Sequence, residues 1–122
     1  MIAVLVLAAA AGAPTDEADA ANLAYTRCLF ATSREGHAAN LSVGAFEQLL
    51  AKACLAEQGS LERTTANVFA RRGDRDATAE AIGFAEQARQ QVVEDYRQTL
   101  ELEPQLRTLA QMCRAHPEQC RE

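Results

Sequence analysis

Cys113, His116 and Cys120 stand close together near the C-terminus and carry the side-chain types that bind soft metals. A zinc site takes about four ligands at matched spacing. No fourth ligand stands nearby, and His37 is far off in a stretch read as a loop. The two cysteines therefore read as a terminal disulfide beside an exposed histidine, and no metal ligands are assigned. Nucleophilic catalysis would need a Ser or Cys held near a His and an orienting carboxylate. Ser33, Ser42 and Ser60 all fall at predicted helix ends, where capping uses the hydroxyl, and no nucleophile-elbow pattern surrounds any of them. The carboxylates Glu80, Glu86, Glu94, Asp95, Glu101 and Glu103 are scattered around the longest predicted helix. They read as a solvated face with i,i+4 partners such as Asp74–Thr78 or Glu86–Gln90. No catalytic residue, cofactor-binding residue or cofactor is assigned, and the expectation is a non-enzyme.

Four cysteines remain as the chemistry that the chain does carry: Cys28, Cys54, Cys113 and Cys120. An even set in a short chain with an apolar leader is the pattern of a disulfide framework in an oxidising compartment. Four cysteines allow three pairings, and the sequence leaves all three open. Helix periodicity sets Cys28 and Cys54 on facing apolar stripes, while Cys113 and Cys120 bracket a helix end at His116-Pro117. Cys28–Cys54 with Cys113–Cys120 is accordingly the expected pairing. Loop-closure entropy assigns about 3.5 kcal/mol to the longer loop and about 2.5 kcal/mol to the shorter. There is no C-x-x-C for thioredoxin-like exchange and no C-x-x-C-H for haem attachment.

The leader is residues 1–13, MIAVLVLAAAAGA, followed by the polar PTDEADA. About 20 apolar residues are needed to span a bilayer, so the run is too short for an anchor. It fits the apolar core of a secretory signal, although no Lys or Arg precedes it. Ala9 and Ala11 satisfy a small-x-small rule for cleavage after Ala11, with the start of the mature chain expected between residues 11 and 20. The expectation is a single domain over residues 20–122, periplasmic or secreted, without a stable membrane anchor.

Composition bounds the rest. A chain of 122 residues makes one domain. Abundant Ala with 6 Gly and 3 Pro favours helix, and 5% aromatics with no Trp leave the core to Ala, Leu, Val and Ile. The net charge of −5 comes with no basic run. Nucleic-acid binding needs a clustered positive footprint, and attraction to anionic membranes needs the same. Neither partner is expected.

The elements follow from apolar spacing. A first helix is predicted over residues 20–34, with Tyr25, Cys28, Leu29 and Thr32 on one face and Gly36 as its stop. Residues 37–41 read as a loop. Ser42 caps a second helix whose Phe46, Leu49, Leu50, Ala53 and Cys54 follow the i, i+3, i+4, i+7, i+8 rule. Gly59 is expected to close it and Ser60 to cap a third helix carrying Leu61, Val68 and Phe69, which stops near Arg72-Gly73. A long fourth helix is predicted over residues 74–102. Its stripe is Ala81, Ala85, Ala88, Val92, Tyr96 and Thr99 or Leu100, widened by Ile82 and Phe84. Pro104 suits the first turn of a last helix, with Leu106, Leu109, Ala110 and Cys113 as its inner face. No strand-period alternation or internal repeat is present. The fold class is all-α: a small antiparallel bundle of four to five helices braced by disulfides.

Tyr25-Thr26-Arg27-Cys28-Leu29, followed by Ala53-Cys54-Leu55-Ala56-Glu57, resembles a pattern in small exported helical proteins of proteobacteria. Those pair an early Y-x-x-C-L helix with a later A-C-x-x-E helix and have no assigned activity, so no catalytic role carries over. The paired cysteines and the acidic residue beside the second are also similar to periplasmic lysozyme-inhibitor-like helical domains. The resemblance covers about a third of the chain. It implies the Cys28–Cys54 link and export.

The resulting expectation is a non-enzymatic periplasmic binding or interaction protein whose partner is an envelope protein or peptide. A small-ligand or metal carrier, with a pocket between Ala-rich helices, is the alternative. An enzyme whose residues converge from separate helices comes last.

Overall fold

The structure, a computed structural model, describes the backbone of residues 2–121 and the side chains of residues 15–121. The expected signal segment, residues 1–13, and its cleavage after Ala11 thus fall outside the residues whose side chains are described. Among the described residues four α-helices follow one another: α1 (Ile2–Ala38), α2 (Val43–Ala53), α3 (Leu55–Arg71) and α4 (Ala77–Ala115). A 3-10 turn over Pro117–Cys120 follows α4. The all-α bundle with two disulfides is the fold that the apolar spacing requires. Among the described residues no helix is long and apolar enough to cross a membrane.

The core forms where α1, α3 and α4 meet, with α2 crossing from α1 to α4. Tyr25 and Leu29 of α1, Phe46 and Leu50 of α2, Cys54, Leu61 of α3, and Val92 and Tyr96 of α4 are all buried. Fully burying a side chain of this size stabilises a fold by about 1.5–3 kcal/mol. Ala81 and Ala85 are wholly buried. Their small side chains let α1 come close enough for the Tyr25 hydroxyl to donate to the Ala85 carbonyl at 3.3 Å. Tyr25 meets Ala85 near one end and Gly36 meets Tyr96 near the other, so α1 and α4 run parallel. α3 packs against both and runs antiparallel to α1, since Cys54 at its start links to Cys28 while Glu62 further on lies close enough to Tyr25 to act on its phenol.

Gly36 does not stop α1. The helix continues to Ala38, and Gly36 lies buried with the Phe46 and Tyr96 rings each 3.0 Å from where a Cβ would stand. The turn comes later, at Asn40 with φ 55, and Ser42 caps α2 as expected, its Oγ accepting from the Ala45 N–H at 3.2 Å. Gly59 and Ser60 are likewise not a stop and a cap, for α3 passes through both. The break between α2 and α3 falls at Cys54 instead, where φ −118 and ψ 25 leave the helical region. That bend lets α2 turn towards α4 while α3 lies along α1. Arg71 ends α3 and Gly73, with φ +90, turns the chain.

The largest departure concerns Pro104. It does not begin a separate last helix but lies inside α4, which runs unbroken over 39 residues. A proline removes one hydrogen bond and crowds the carbonyl four residues earlier. Here that carbonyl is Leu100's, where α4 leaves the bundle and, among the described residues, no helix packs beyond it. Leu100-Glu101-Leu102-Glu103 are all good helix formers, so nothing ends the helix before the proline. The expected inner face of a last helix therefore does not exist: Leu106, Leu109 and Ala110 are exposed and Cys113 is half-buried. Ile82 and Phe84, expected to widen the core stripe, are each 44% exposed.

Candidate functional site

Both disulfides join the expected cysteines. Cys28 links to Cys54 with Cα atoms 5.9 Å apart, and Cys113 to Cys120 at 5.6 Å. No free cysteine remains among the described residues. Thr32 completes the first link's surroundings: its hydroxyl donates to the Cys28 carbonyl at 2.8 Å and lies 3.7 Å from Cys54 Sγ. Beside the second, His116 Nδ1 lies 3.6 Å from Glu118 Oε1 on an exposed surface. Among the described residues no three His, Cys, Asp or Glu side chains converge as a metal cluster would.

The carboxylates of α4 do lie on a solvated face, with partners other than those expected. Glu86 faces Arg89 at 3.5 Å rather than Gln90. Arg97 holds Glu94 on one side and Glu101 on the other, the latter at 3.1 Å. The hydrogen bond from Arg97 keeps the Glu94 carboxyl below its usual range and raises Arg97 in turn. Asp74 lies outside α4 and approaches Glu80 rather than Thr78. Desolvation, and after it the Asp74 carboxylate, raises the Glu80 pKa.

His37 occupies a place that sequence reasoning missed. Its ring stacks on Tyr96 with centroids 4.0 Å apart, and Tyr96 stacks on Phe46 at 4.0 Å. The Tyr96 hydroxyl donates to the Leu41 carbonyl at 2.7 Å. Burial, and then the nearby Glu103 carboxylate, pushes the Tyr96 phenol up. His37 Nδ1 is buried without a hydrogen-bond partner among the described residues. This stack clamps α4 at the point where it leaves the bundle.

Two surface features remain. A cleft of about 630 Å³ separates α2 from α4, lined among others by Glu47, Gln48, Leu50, Arg89, Val93 and Glu94. Its volume suits a small molecule, although ligand pockets are generally lined by apolar groups, and this one carries three charged side chains. The second feature is α4 beyond Leu100. Every residue from Glu101 to Met112 is exposed, and four large apolar side chains share the segment. Leu102 is 49% exposed, Leu106 59%, Leu109 54% and Met112 52%. Helical spacing sets them along one side. The 3-10 turn folds back against α4, and the Cys113–Cys120 link fastens it there. The segment is thus a stiffened apolar projection that no other helix covers among the described residues. The same leucines were visible in the sequence, but Pro104 made them read as the core of another helix.

Compared with protein-family models, curated proteins and solved structures, the chain matches none of them.

Proposed function

We propose that the protein is an exported, non-enzymatic interaction protein of the periplasm, which binds its partner through the apolar side of α4 beyond Leu100. The observation that carries this reading is the row Leu102, Leu106, Leu109 and Met112, about half exposed on a helix held at both ends. Contiguous exposed apolar surface marks protein interaction sites, and an apolar helix side is the form that helix-in-groove recognition uses. Export is supported by the apolar leader and by two intramolecular disulfides, which persist in oxidising compartments. A protein or peptide of the cell envelope, offering an apolar groove or helix, is the matching partner.

Two measurements test the reading. Peptide mass mapping without reduction, on protein from its native compartment, gives the mature N-terminus and the disulfide pairing together. A chain beginning between residues 11 and 20 with both links intact is expected, and an intact Met1 with free thiols would overturn export. Crosslinking in an envelope extract then compares the natural chain with a Leu106→Glu/Leu109→Glu variant. Equal capture by both would remove the projection from the reading.

The cleft between α2 and α4 favours a second reading, a small-ligand carrier. A ligand seated there raises the melting temperature in proportion to its occupancy. A melting curve unmoved by a broad panel of metals and small molecules would dispose of that alternative.

A further inference from the structure

We infer that the occupant of the α4 projection is a second copy of this chain, the two helices pairing antiparallel about a two-fold axis between Leu106 and Leu109. The inference rests on the reading of this side of α4 as the binding surface, and it names the partner.

The spacing is the first argument. Leu102, Leu106 and Leu109 recur at steps of four and three residues, one a/d repeat of a two-stranded coiled coil. Pro104 falls on the opposite side of the helix, about 140–160° from each of those three at 3.6 residues per turn. The carbonyl it leaves without a donor therefore lies away from the seam.

Charge selects the direction. Glu103, Arg107 and Arg114 lie on one flank of the stripe, the acid towards the bundle and both arginines towards the tip. A parallel pair sets this flank against the second copy's opposite flank of Glu101, Gln105, Thr108 and Met112, which offers Glu103 no base. An antiparallel pair with Leu106 against the second copy's Leu109 brings Glu103 between the second copy's Arg107 and Arg114, twice over by symmetry. Arg114 makes no ion pair among the described residues and donates to the Ala110 carbonyl at 3.4 Å, while Arg107 meets Glu103 of its own helix at 3.9 Å. Both contacts are long and lie on the exposed surface, so an acid of the second copy competes with them.

Area sets the strength. Four side chains about half exposed offer roughly 300–400 Å² of apolar surface per copy, within the span of the largest functional patches on single chains. A standard interface takes about 800 Å² from each partner. Thr99, Ala110 and the aliphatic stems of the arginines bring the pair towards the lower end of that class. The dimer is accordingly a reversible one that dissociates on dilution.

Sedimentation velocity on the purified, disulfide-intact protein, from about 1 μM to about 1 mM, decides the matter. A concentration-dependent shift from monomer to dimer is expected, weakened by salt. Leu106→Glu/Leu109→Glu abolishes it while the bundle melts unchanged. Glu103→Arg alone, and Arg107→Glu/Arg114→Glu alone, each remain monomeric where the natural chain dimerises. An equimolar mixture of those two variants restores the dimer, because each acid then faces a base across the seam in both halves. Circular dichroism of each variant checks that it is folded. A natural chain monomeric throughout, or a mixture that stays monomeric, overturns the inference. If the monomer still captures an envelope protein that Leu106→Glu/Leu109→Glu does not, the second copy is refuted and the binding surface stands. If that capture also fails, both readings fall.

Discussion

Replacing glycine by alanine at two helical positions changes stability in opposite directions, although the substitution is chemically the same. Inside a helix, Ala is favoured over Gly by about 1 kcal/mol because it restricts the unfolded backbone. At Gly59 that gain is realised, since an added Cβ meets only the flexible end of Arg63, at 3.6 Å. At Gly36 the Cβ lies 3.0 Å from Phe46 Cδ1, 3.0 Å from Tyr96 Cε2 and 3.2 Å from the Tyr96 hydroxyl. Neither ring slides away freely. Tyr96 is stacked between His37 and Phe46 and tethered to the Leu41 carbonyl at 2.7 Å. Overpacking of this kind costs about 1–3 kcal/mol, which outweighs the helix gain. Gly36→Ala is thus expected to destabilise by about 1 kcal/mol and Gly59→Ala to stabilise by nearly as much. For a domain near 100 residues, 1 kcal/mol moves Tm by about 4–5 °C, so the two melts separate by about 8–10 °C. Thermal unfolding followed by circular dichroism, backed by urea titration, measures both. Equal stabilisation by the two variants would refute the packing of Gly36 between the rings. A destabilised Gly59→Ala would refute the continuous α3 and restore Gly59 as a helix stop. Phe46→Leu in the Gly36→Ala background makes room for the methyl and should recover part of the loss.

The two disulfides are expected to act on different parts of the molecule. Cys28→Ser/Cys54→Ser opens a link across 26 positions inside the bundle and should cost about 3.5 kcal/mol by loop-closure entropy, seen as a large fall in Tm. Cys113→Ser/Cys120→Ser opens a link across 7 positions at the tip of α4. The bundle should melt almost unchanged, with hydrogen exchange quickening only over the last turns. Alkali probes the two tyrosines, which are the only strong near-ultraviolet chromophores because the chain has no Trp. Desolvation raises both phenols above their ordinary value of 10.0. A raised folded pKa means that stability is intact below the ordinary value and is lost as pH climbs through it towards the raised one. Tyrosinate absorbance and helix loss should therefore rise together, and a phenol ionising at its ordinary pH in a fully helical protein would contradict the burial. Ser42→Ala removes the cap of α2 and should lower stability by about 1 kcal/mol in the same urea titration.

The bundle was legible because its signals are redundant. Tyr25, Cys28, Leu29 and Thr32 repeat at helical spacing, as do Phe46, Leu50 and Cys54, and each set is buried or half-buried. Periodicity therefore pointed to the centre of the core and made Cys28–Cys54 the expected pairing, while leaving the other two pairings open. The punctuation was less readable, because a glycine in sequence does not reveal whether it supplies a turn or makes room. Gly73 supplies a turn with φ +90, whereas Gly36 makes room for two rings that come from other helices. Gly59 has neither role. Pro104 misled for a related reason: the penalty of a proline within a helix depends on what packs there, and α4 had already outrun its neighbours. His37 gave no local signal at all, since its stacking partner Tyr96 lies 59 positions away in sequence.

The projection is the one part of the molecule whose form is not explained by the bundle's own stability. An isolated helix of about 15 residues is marginal in water, because nucleating the first turn is unfavourable. The segment beyond Leu100 avoids that step, since it extends a helix already nucleated and held by Ala81, Ala85, Val92 and Tyr96. The Tyr96 stack fixes its root, and Cys113–Cys120 limits fraying at its tip. Few degrees of freedom remain to be lost when a partner closes on Leu102, Leu106, Leu109 and Met112. Binding by a prearranged side of this kind spends little of its apolar contact on ordering the chain. Reduction of the terminal link should therefore weaken association at the projection while leaving the bundle folded, a separation that no disulfide serving stability alone would produce.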